Sequence, residues 1–260
     1  MSLKKENEWK NTRKGYWTQK DELSKRAKEW VKKMDKECRE DTQKTLKSSK
    51  IYSPSFSTSF SPIYHHTSFL NTDTVSAAFM QKEKACILNF ASYKNPGGAF
   101  LNGSKAQEEM LCHESNLYNI LSSVPEYYEW NNQNKNRSLY LNRAIYTPNV
   151  VFVRKGEVRK MDVLTCAAPN IAAAHKYCNV WEEENEEVLK GRVKFIYDIL
   201  HDNGVRTFIS GAWGCGVFGQ LPELVRDTFL YTPASIQNLI FAVPGNDRNT
   251  LAFQYIGEKG

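Results

Sequence analysis

From about residue 70 onward, short apolar runs of strand length alternate with segments whose apolar residues recur at helical spacing, and this alternation limits the architecture more than any other feature of the chain. Ala85–Ala91 (Ala-Cys-Ile-Leu-Asn-Phe-Ala) reads as a buried strand, and further strands are predicted at 143–154, 161–168, Val205–Ser210 and Asn238–Val243. Helices are predicted at Val75–Lys82, over 104–122, from Glu182 to Leu200, and near 222–230. The acidic run Glu182–Glu187 suits a helix N-terminus, and His201-Asp-Asn-Gly204 supplies a glycine stop. The pattern predicts an α/β sandwich built on a mixed sheet.

The first fifty residues differ in character. They hold 16 of the 35 Lys and Arg but only 9 of the 29 Asp and Glu, so the chain's net +6 belongs to this arm. After a loosely docked lead-in over 1–17, Thr18-x-x-Asp21 is a capping-box signal. Leu23, Ala27, Trp30, Val31, Met34 and Cys38 then form one helical apolar stripe that packs on the main domain. The serine-rich stretch 48–62 reads as a connector with an extended piece. The expected division is therefore 1–62, a basic helical extension with its connector, and 63–260, the principal domain. The charges of this arm read first as a solvated helix face; weak contact with a polyanion, through the basic residues with Trp9, Tyr16, Trp17 and Trp30, is the alternative reading.

No run of about 18 apolar residues exists to span a membrane. Met1-Ser-Leu-Lys-Lys-Glu lacks an apolar signal segment, and the six cysteines contain no C-x-x-C, which suits reduced thiols in a cytoplasmic protein. With five histidines and a single adjacent pair, no metal centre is expected, nor any cofactor.

Two loops carry the chemistry. Asn95-Pro96-Gly97-Gly98-Ala99 follows the strand that ends at Ala91, at the carboxyl edge of a sheet where ligands of open α/β folds bind. Its successive N–H groups can cradle an anion. Gln107-Glu108-Glu109 comes shortly after, although Ser104-x-x-Gln107 is also a capping box, in which case the acids merely complement a helix dipole. The second loop is Gly211-Ala-Trp-Gly214-Cys215-Gly216-Val217-Phe218-Gly219, after the strand Val205–Ser210. Its Gly214-x-Gly216-x-x-Gly219 matches a dinucleotide fingerprint, but no acidic residue ends the next strand and too little chain follows for a nucleotide-binding half. Two anion-cradling loops with an acid beside one of them describe a site for a diphosphate sugar.

Leu88-Asn-Phe-Ala, Asn95-Pro-Gly-Gly, Gln107-Glu-Glu, Leu164-Thr-Cys-Ala-Ala-Pro-Asn170 and Gly211-Ala-Trp-Gly-Cys-Gly-Val-Phe218, in this order, resemble the bacterial-type poly(ADP-ribose) glycohydrolases. The resemblance implies a macrodomain-like three-layer α/β/α sandwich with an N-terminal helical extension. It makes Glu109 the catalytic acid, with Glu108 holding the distal ribose and Gln107 ordering the loop. It assigns the diphosphate to Gly97, Gly98 and the segment Gly214, Cys215, Gly216, Val217 and Gly219, with Phe218 packed beside the distal ribose or adenine and Asn95 bonding the ribose. Ala99 stands where the family pattern has a third glycine, adding a Cβ to a crowded loop and forbidding easy positive φ.

Sequence neighbours cannot flank a sugar ring from opposite faces, as the paired carboxyls of ordinary glycosidases do at roughly 5 to 9.5 Å. The expected scheme uses one acid: Glu109 protonates the leaving ribose oxygen as an oxocarbenium-like cation develops, then activates water, without a metal. The implied activity is cleavage of ribose–ribose O-glycosidic bonds in poly(ADP-ribose) from its terminal end by a monomeric enzyme. Removal of single ADP-ribose units and non-catalytic ADP-ribose binding are the alternatives.

Overall fold

The computed structural model describes residues 3–256, with side chains from residue 19. Along the chain run α1 (Leu3–Glu37), α2 (Arg39–Ser48), β1 (Lys50–Tyr52), β2 (His66–Leu70), α3 (Thr74–Phe79), β3 (Cys86–Phe90), α4 (Gln107–His113), α5 (Leu117–Leu121), α6 (Pro125–Gln133), β4 (Ala144–Arg154), β5 (Glu157–Cys166), α7 (Ile171–Cys178), α8 (Glu182–Asp202), β6 (Thr207–Ser210), α9 (Pro222–Tyr231), β7 (Asn238–Ala242) and α10 (Arg248–Gln254). The strands form one mixed sheet in the order β1-β4-β5-β3-β6-β7-β2. β1, β4 and β5 pair antiparallel, whereas β5, β3, β6, β7 and β2 pair parallel.

Strand periodicity makes the layers. Successive side chains of a strand face opposite ways, so an apolar run feeds two cores at once. In β3, Cys86 and Leu88 join a core built with α8, α9 and α10, while Ile87 joins a second core with α1 and α3 to α6. Phe208 and Ile209 of β6 divide the same way, as do Leu239 and Ile240 of β7. Each fully buried side chain of this kind contributes about 1.5–3 kcal/mol. The predicted α/β sandwich with a mixed sheet is the observed fold.

Several local expectations change. α1 runs through Thr18 and Asp21, so that pair caps nothing, and the chain breaks at Cys38 between α1 and α2. Ala27 and Met34 are fully buried, and the Trp30 indole N–H donates to the Ser115 carbonyl at 2.9 Å, which pins the predicted stripe to the domain. Met1, Ser2, residues 257–260 and the side chains of Trp9, Tyr16 and Trp17 lie outside the described residues; of the aromatic residues expected to meet a polyanion, Trp30 is described and packs half-buried against the domain. The helix predicted over 104–122 is two helices, because Ser115 forms a bridge with Phe152 and interrupts it. The glycine stop of α8 is present: Gly204 N–H donates to the His201 carbonyl at 3.0 Å and Val205 N–H to that of Leu200 at 2.9 Å. Among the described residues, no helix is long and apolar enough to cross a membrane.

Candidate active site

The cleft opens where two parallel strands part. β3 pairs with β6 only through Cys86 and Ile87, so Leu88 O and Phe90 N face a gap. Gln107 fills it: its Oε1 accepts from Phe90 N–H at 2.9 Å, and its Nε2 donates to Leu88 O at 2.9 Å and Thr74 Oγ1 at 3.1 Å. A glutamine amide thus stands in for the missing strand and satisfies backbone groups that burial would otherwise leave unpaired. The chain continues from β3 toward β4 and β5 on one side of the sheet and to β6 and β7 on the other, so the gap is a topological switch point.

Anchoring Gln107 to β3 places Glu108 and Glu109 at the first turn of α4. The cap residue is Ala106, without a side-chain cap bond, so the Ser104-x-x-Gln107 capping box is not used. Glu108 is 3% exposed and Glu109 5% exposed. Glu108 Oε1 accepts from Asn89 Nδ2 at 3.1 Å and Oε2 from Ser92 N–H at 2.7 Å. Burial, and secondarily the adjacent Glu109, push the Glu108 carboxyl up to about 8 against the lowering pull of these donors. Glu109 Oε1 accepts from Ala99 N–H at 2.9 Å, while its Oε2 is buried with no hydrogen-bond partner.

The glycine turn is shaped around these acids. Gly98 has φ +60°, and a Cβ there would lie 2.6 Å from Glu109 Oε1 and 3.1 Å from Glu108 Oε2. Gly97 has φ +64° and packs on Tyr118 and Cys112. Ala99 has φ −105° and ψ 29°, a conformation open to any L-residue, so the departure from a third glycine carries no backbone strain. Asn95 is exposed at the tip of the turn, and its carbonyl accepts from Gly98 N–H at 3.1 Å.

The second loop forms the facing wall. Trp213 is fully buried, with its indole N–H on Cys166 O at 3.0 Å. Gly214 has φ +78° and lies so close to Ala168 that a Cβ would meet it at 2.7 Å. Gln220 and Asn185 exchange amide bonds of 2.7 and 3.0 Å, and Ala172 N–H donates to Phe218 O at 3.1 Å, which closes the loop's far end. Between the walls lies a cavity of about 320 Å³ lined by Phe90, Ala91, Gln107, Gly214, Gly216, Val217 and Phe218. A second chamber of about 270 Å³ continues past Phe90, Gln107 and Ala212 to Asp73, Val75 and Arg154. Val217 is 91% exposed, whereas the Cys215 thiol turns into the core and Gly219 abuts Ala172; neither of these two lines the cavity. A larger groove, about 880 Å³ between α8, α9 and residues 58–60, contains none of the singled-out residues.

The structure therefore brings Gln107, Glu108, Glu109, Gly97, Gly98 and Ala99 together, and of these six Gln107 is the one that lines the two chambers. The sequence patterns gave no role to Asn89, Ser92 and Thr74, which bond Glu108 or Gln107, or to Thr165, whose hydroxyl accepts from Asn89. Asn89 and Thr165 were detectable as polar residues inside otherwise apolar strands; nothing marked Ser92, which acts through its backbone. Among the described residues, no group of three or more His, Cys, Asp or Glu is arranged to hold a metal ion.

The family model described as the microbial-type PARG catalytic domain matches residues 20–155, a span that contains the first loop and both glutamates. The poly(ADP-ribose) glycohydrolase of Thermomonospora curvata superposes with a TM-score of 0.81 at 27% identity, over 90% of this chain and 98% of that one. The same enzyme bound to the inhibitor ADP-HPD gives 0.78 at 26% identity, with the same coverage. The glycohydrolase of Deinococcus radiodurans in complex with ADP-ribose gives 0.71 at 25% identity, over 82% and 96% of the two chains. No curated protein sequence matches the chain.

Proposed function

The chain belongs to the microbial-type poly(ADP-ribose) glycohydrolase family, and on that premise we propose how its residues divide the work of hydrolysing ribose–ribose O-glycosidic bonds. The diphosphate lies along the second loop, where Gly214 and Gly216 let the backbone approach its oxygens and no side chain intervenes. The distal ribose sits between Phe218 and the Gly97-Gly98-Ala99 turn, with Asn95 at its edge. The base occupies the second chamber, whose walls include Val75, Leu111 and Pro244.

Glu109 is the general acid and then the base. The observation that carries this assignment is its asymmetric hydrogen bonding: Ala99 N–H fixes Oε1, and Oε2 is buried and unpartnered, available to exchange a proton. Glu108 supplies the other half of the arrangement. With its carboxyl raised to about 8 by burial, Glu108 keeps a proton at neutral pH until substrate arrives. Ribose hydroxyls donating to Glu108 favour its ionised form, while Glu109 stands beside the leaving oxygen. Glu109 protonates that oxygen as the C1″–O bond breaks. The developing oxocarbenium is stabilised by the ionised Glu108 and the diphosphate, and the Glu109 carboxylate then takes a proton from the attacking water. The balance is one water consumed, and one free ADP-ribose and one shortened polymer released.

The test is release of ADP-ribose from automodified poly(ADP-ribosyl)ated protein by the wild type and Glu109→Gln. Release by the wild type alone, with ADP-ribose binding retained in the variant, is the expected result. Equal loss of binding and turnover in Glu109→Gln would sink the acid assignment.

A further inference from the structure

The two loops of the site are joined by an aromatic bridge to which the reaction scheme gives no role. Tyr140 stacks on Tyr93 with ring centroids 4.0 Å apart and planes 10° from parallel, and meets Phe218 edge-on at 6.1 Å. Tyr93 is the residue after Ser92, whose N–H holds Glu108, and lies two before Asn95. Phe218 belongs to the opposite wall. One ring therefore touches both halves of the cleft.

The segment that presents this ring is strained. Asn136, Arg137, Ser138 and Tyr140 have φ of 42°, 50°, 69° and 63°, although none is glycine. Side chains rarely adopt this region, and it persists only where the surroundings over-determine it. Asn170 N–H holds Ser138 O at 3.1 Å and Asn136 Nδ2 donates to Tyr140 O at 3.2 Å, and the group that over-determines the backbone at Tyr140 is Arg192 of α8, which is 1% exposed. Its guanidinium donates to Ala167 O at 2.6 Å, Asn142 Oδ1 at 2.5 Å, Tyr140 O at 3.1 Å and Leu139 O at 3.3 Å. Among the described residues no carboxylate pairs with it. A buried cation spent on carbonyls, an amide and the Cys166 thiol is costly unless it fixes something, and what it fixes is the backbone on either side of Tyr140. The partner ring is held as firmly: Tyr93 is 2% exposed, its hydroxyl donates to Asn134 O at 2.8 Å, and its carbonyl accepts from Asn131 Nδ2 at 2.9 Å.

We propose that Tyr140, clamped by Arg192, is a positioning residue for the hydrolysis: its stack on Tyr93 sets the 92–95 segment, and with it the Ser92 N–H on Glu108 and Asn95, in register with Phe218 across the cleft. This rests on the reading given under Proposed function. The stack acts on alignment of the reacting groups and leaves the diphosphate contacts of the second loop in place, so its removal slows turnover more than it weakens ligand binding.

The experiment compares wild type, Tyr140→Phe, Tyr140→Leu, Tyr93→Leu and the double leucine variant. Turnover is measured on poly(ADP-ribosyl)ated protein at saturating substrate, ADP-ribose affinity by calorimetry, and folding by thermal unfolding. Tyr140→Leu is expected to lose about ten- to a hundredfold in kcat with ADP-ribose Kd changed far less, because sub-ångström misplacement acts on the reacting geometry. Tyr140→Phe keeps the ring and is expected to rescue most of the rate. The two leucine substitutions are expected to be strongly non-additive, as coupled neighbours are. Tyr140→Met carries the same comparison should the leucine variant not fold. A folded Tyr140→Leu or Tyr140→Met with wild-type kcat, or with kcat and affinity falling together, would overturn the positioning role alone. Absence of ADP-ribose release by the wild type would overturn the activity reading beneath it.

Discussion

Gly98→Ala puts the geometry of the acid pair to its sharpest test. The new Cβ would lie 2.6 Å from Glu109 Oε1, where ordinary contact begins at 3.4 Å, so the carboxyl must retreat by about 0.8 Å. That retreat also stretches the 2.9 Å bond from Ala99 N–H, the one hydrogen-bond partner of the Glu109 carboxyl among the described residues. A misplacement near 1 Å costs about a hundredfold in rate, so kcat should fall roughly 30- to 100-fold. The φ of +60° adds about 1–2 kcal/mol of backbone strain for any residue with a Cβ, which should appear as a lower denaturant midpoint with an unchanged m value. ADP-ribose release under saturating substrate reads the first effect and guanidinium unfolding the second. Turnover within about twofold of wild type in a folded Gly98→Ala protein would refute the claim that this turn seats Glu109.

Other outcomes follow from the same contacts. Ala99→Gly should leave kcat nearly unchanged, since φ is already −105°, and lower stability by about 0.4–1 kcal/mol through the freer unfolded chain; unfolding curves of the two proteins check this. Glu108 is raised in the folded state from near 4.5 to about 8, so its contribution to stability is complete below the unfolded value and is lost as pH rises through 8. Glu108→Gln should therefore flatten the decline in unfolding free energy between pH 5 and 8.5, a change on the order of a few kcal/mol. Met34→Ala should cost about 2–5 kcal/mol by emptying a fully buried site under α1, measured by denaturant unfolding.

Much of this protein was legible before any coordinates. A strand such as β3, apolar at every position but Asn89, must be covered on both faces, so alternation of such runs with helical patterns left little besides a layered α/β fold. The glycine turn and the Gln-Glu-Glu triplet were local signals whose meaning is local too: the turn needs positive φ at Gly97 and Gly98, and the triplet opens a helix directly behind it. β2, α6, α7 and α10 were not foreseen, being short or polar segments whose stability comes from what they pack against.

What the tertiary structure alone decided is where the acids meet their partners. Gln107 reads in the sequence as a capping residue and acts instead as a substitute strand beside β3, because β6 diverges after two pairs and leaves Leu88 O and Phe90 N unpaired. Asn89 and Ser92 reach Glu108 from 19 and 16 residues away, and Arg192 reaches Tyr140 from 52. The sequence by itself determined which residues bring acid chemistry and which turns permit a close backbone approach, since both follow from side-chain type and local φ. Burial, the resulting rise of Glu108, and the pairing of distant donors with each carboxyl oxygen depend on how the sheet gap closes around them, which no local pattern encodes.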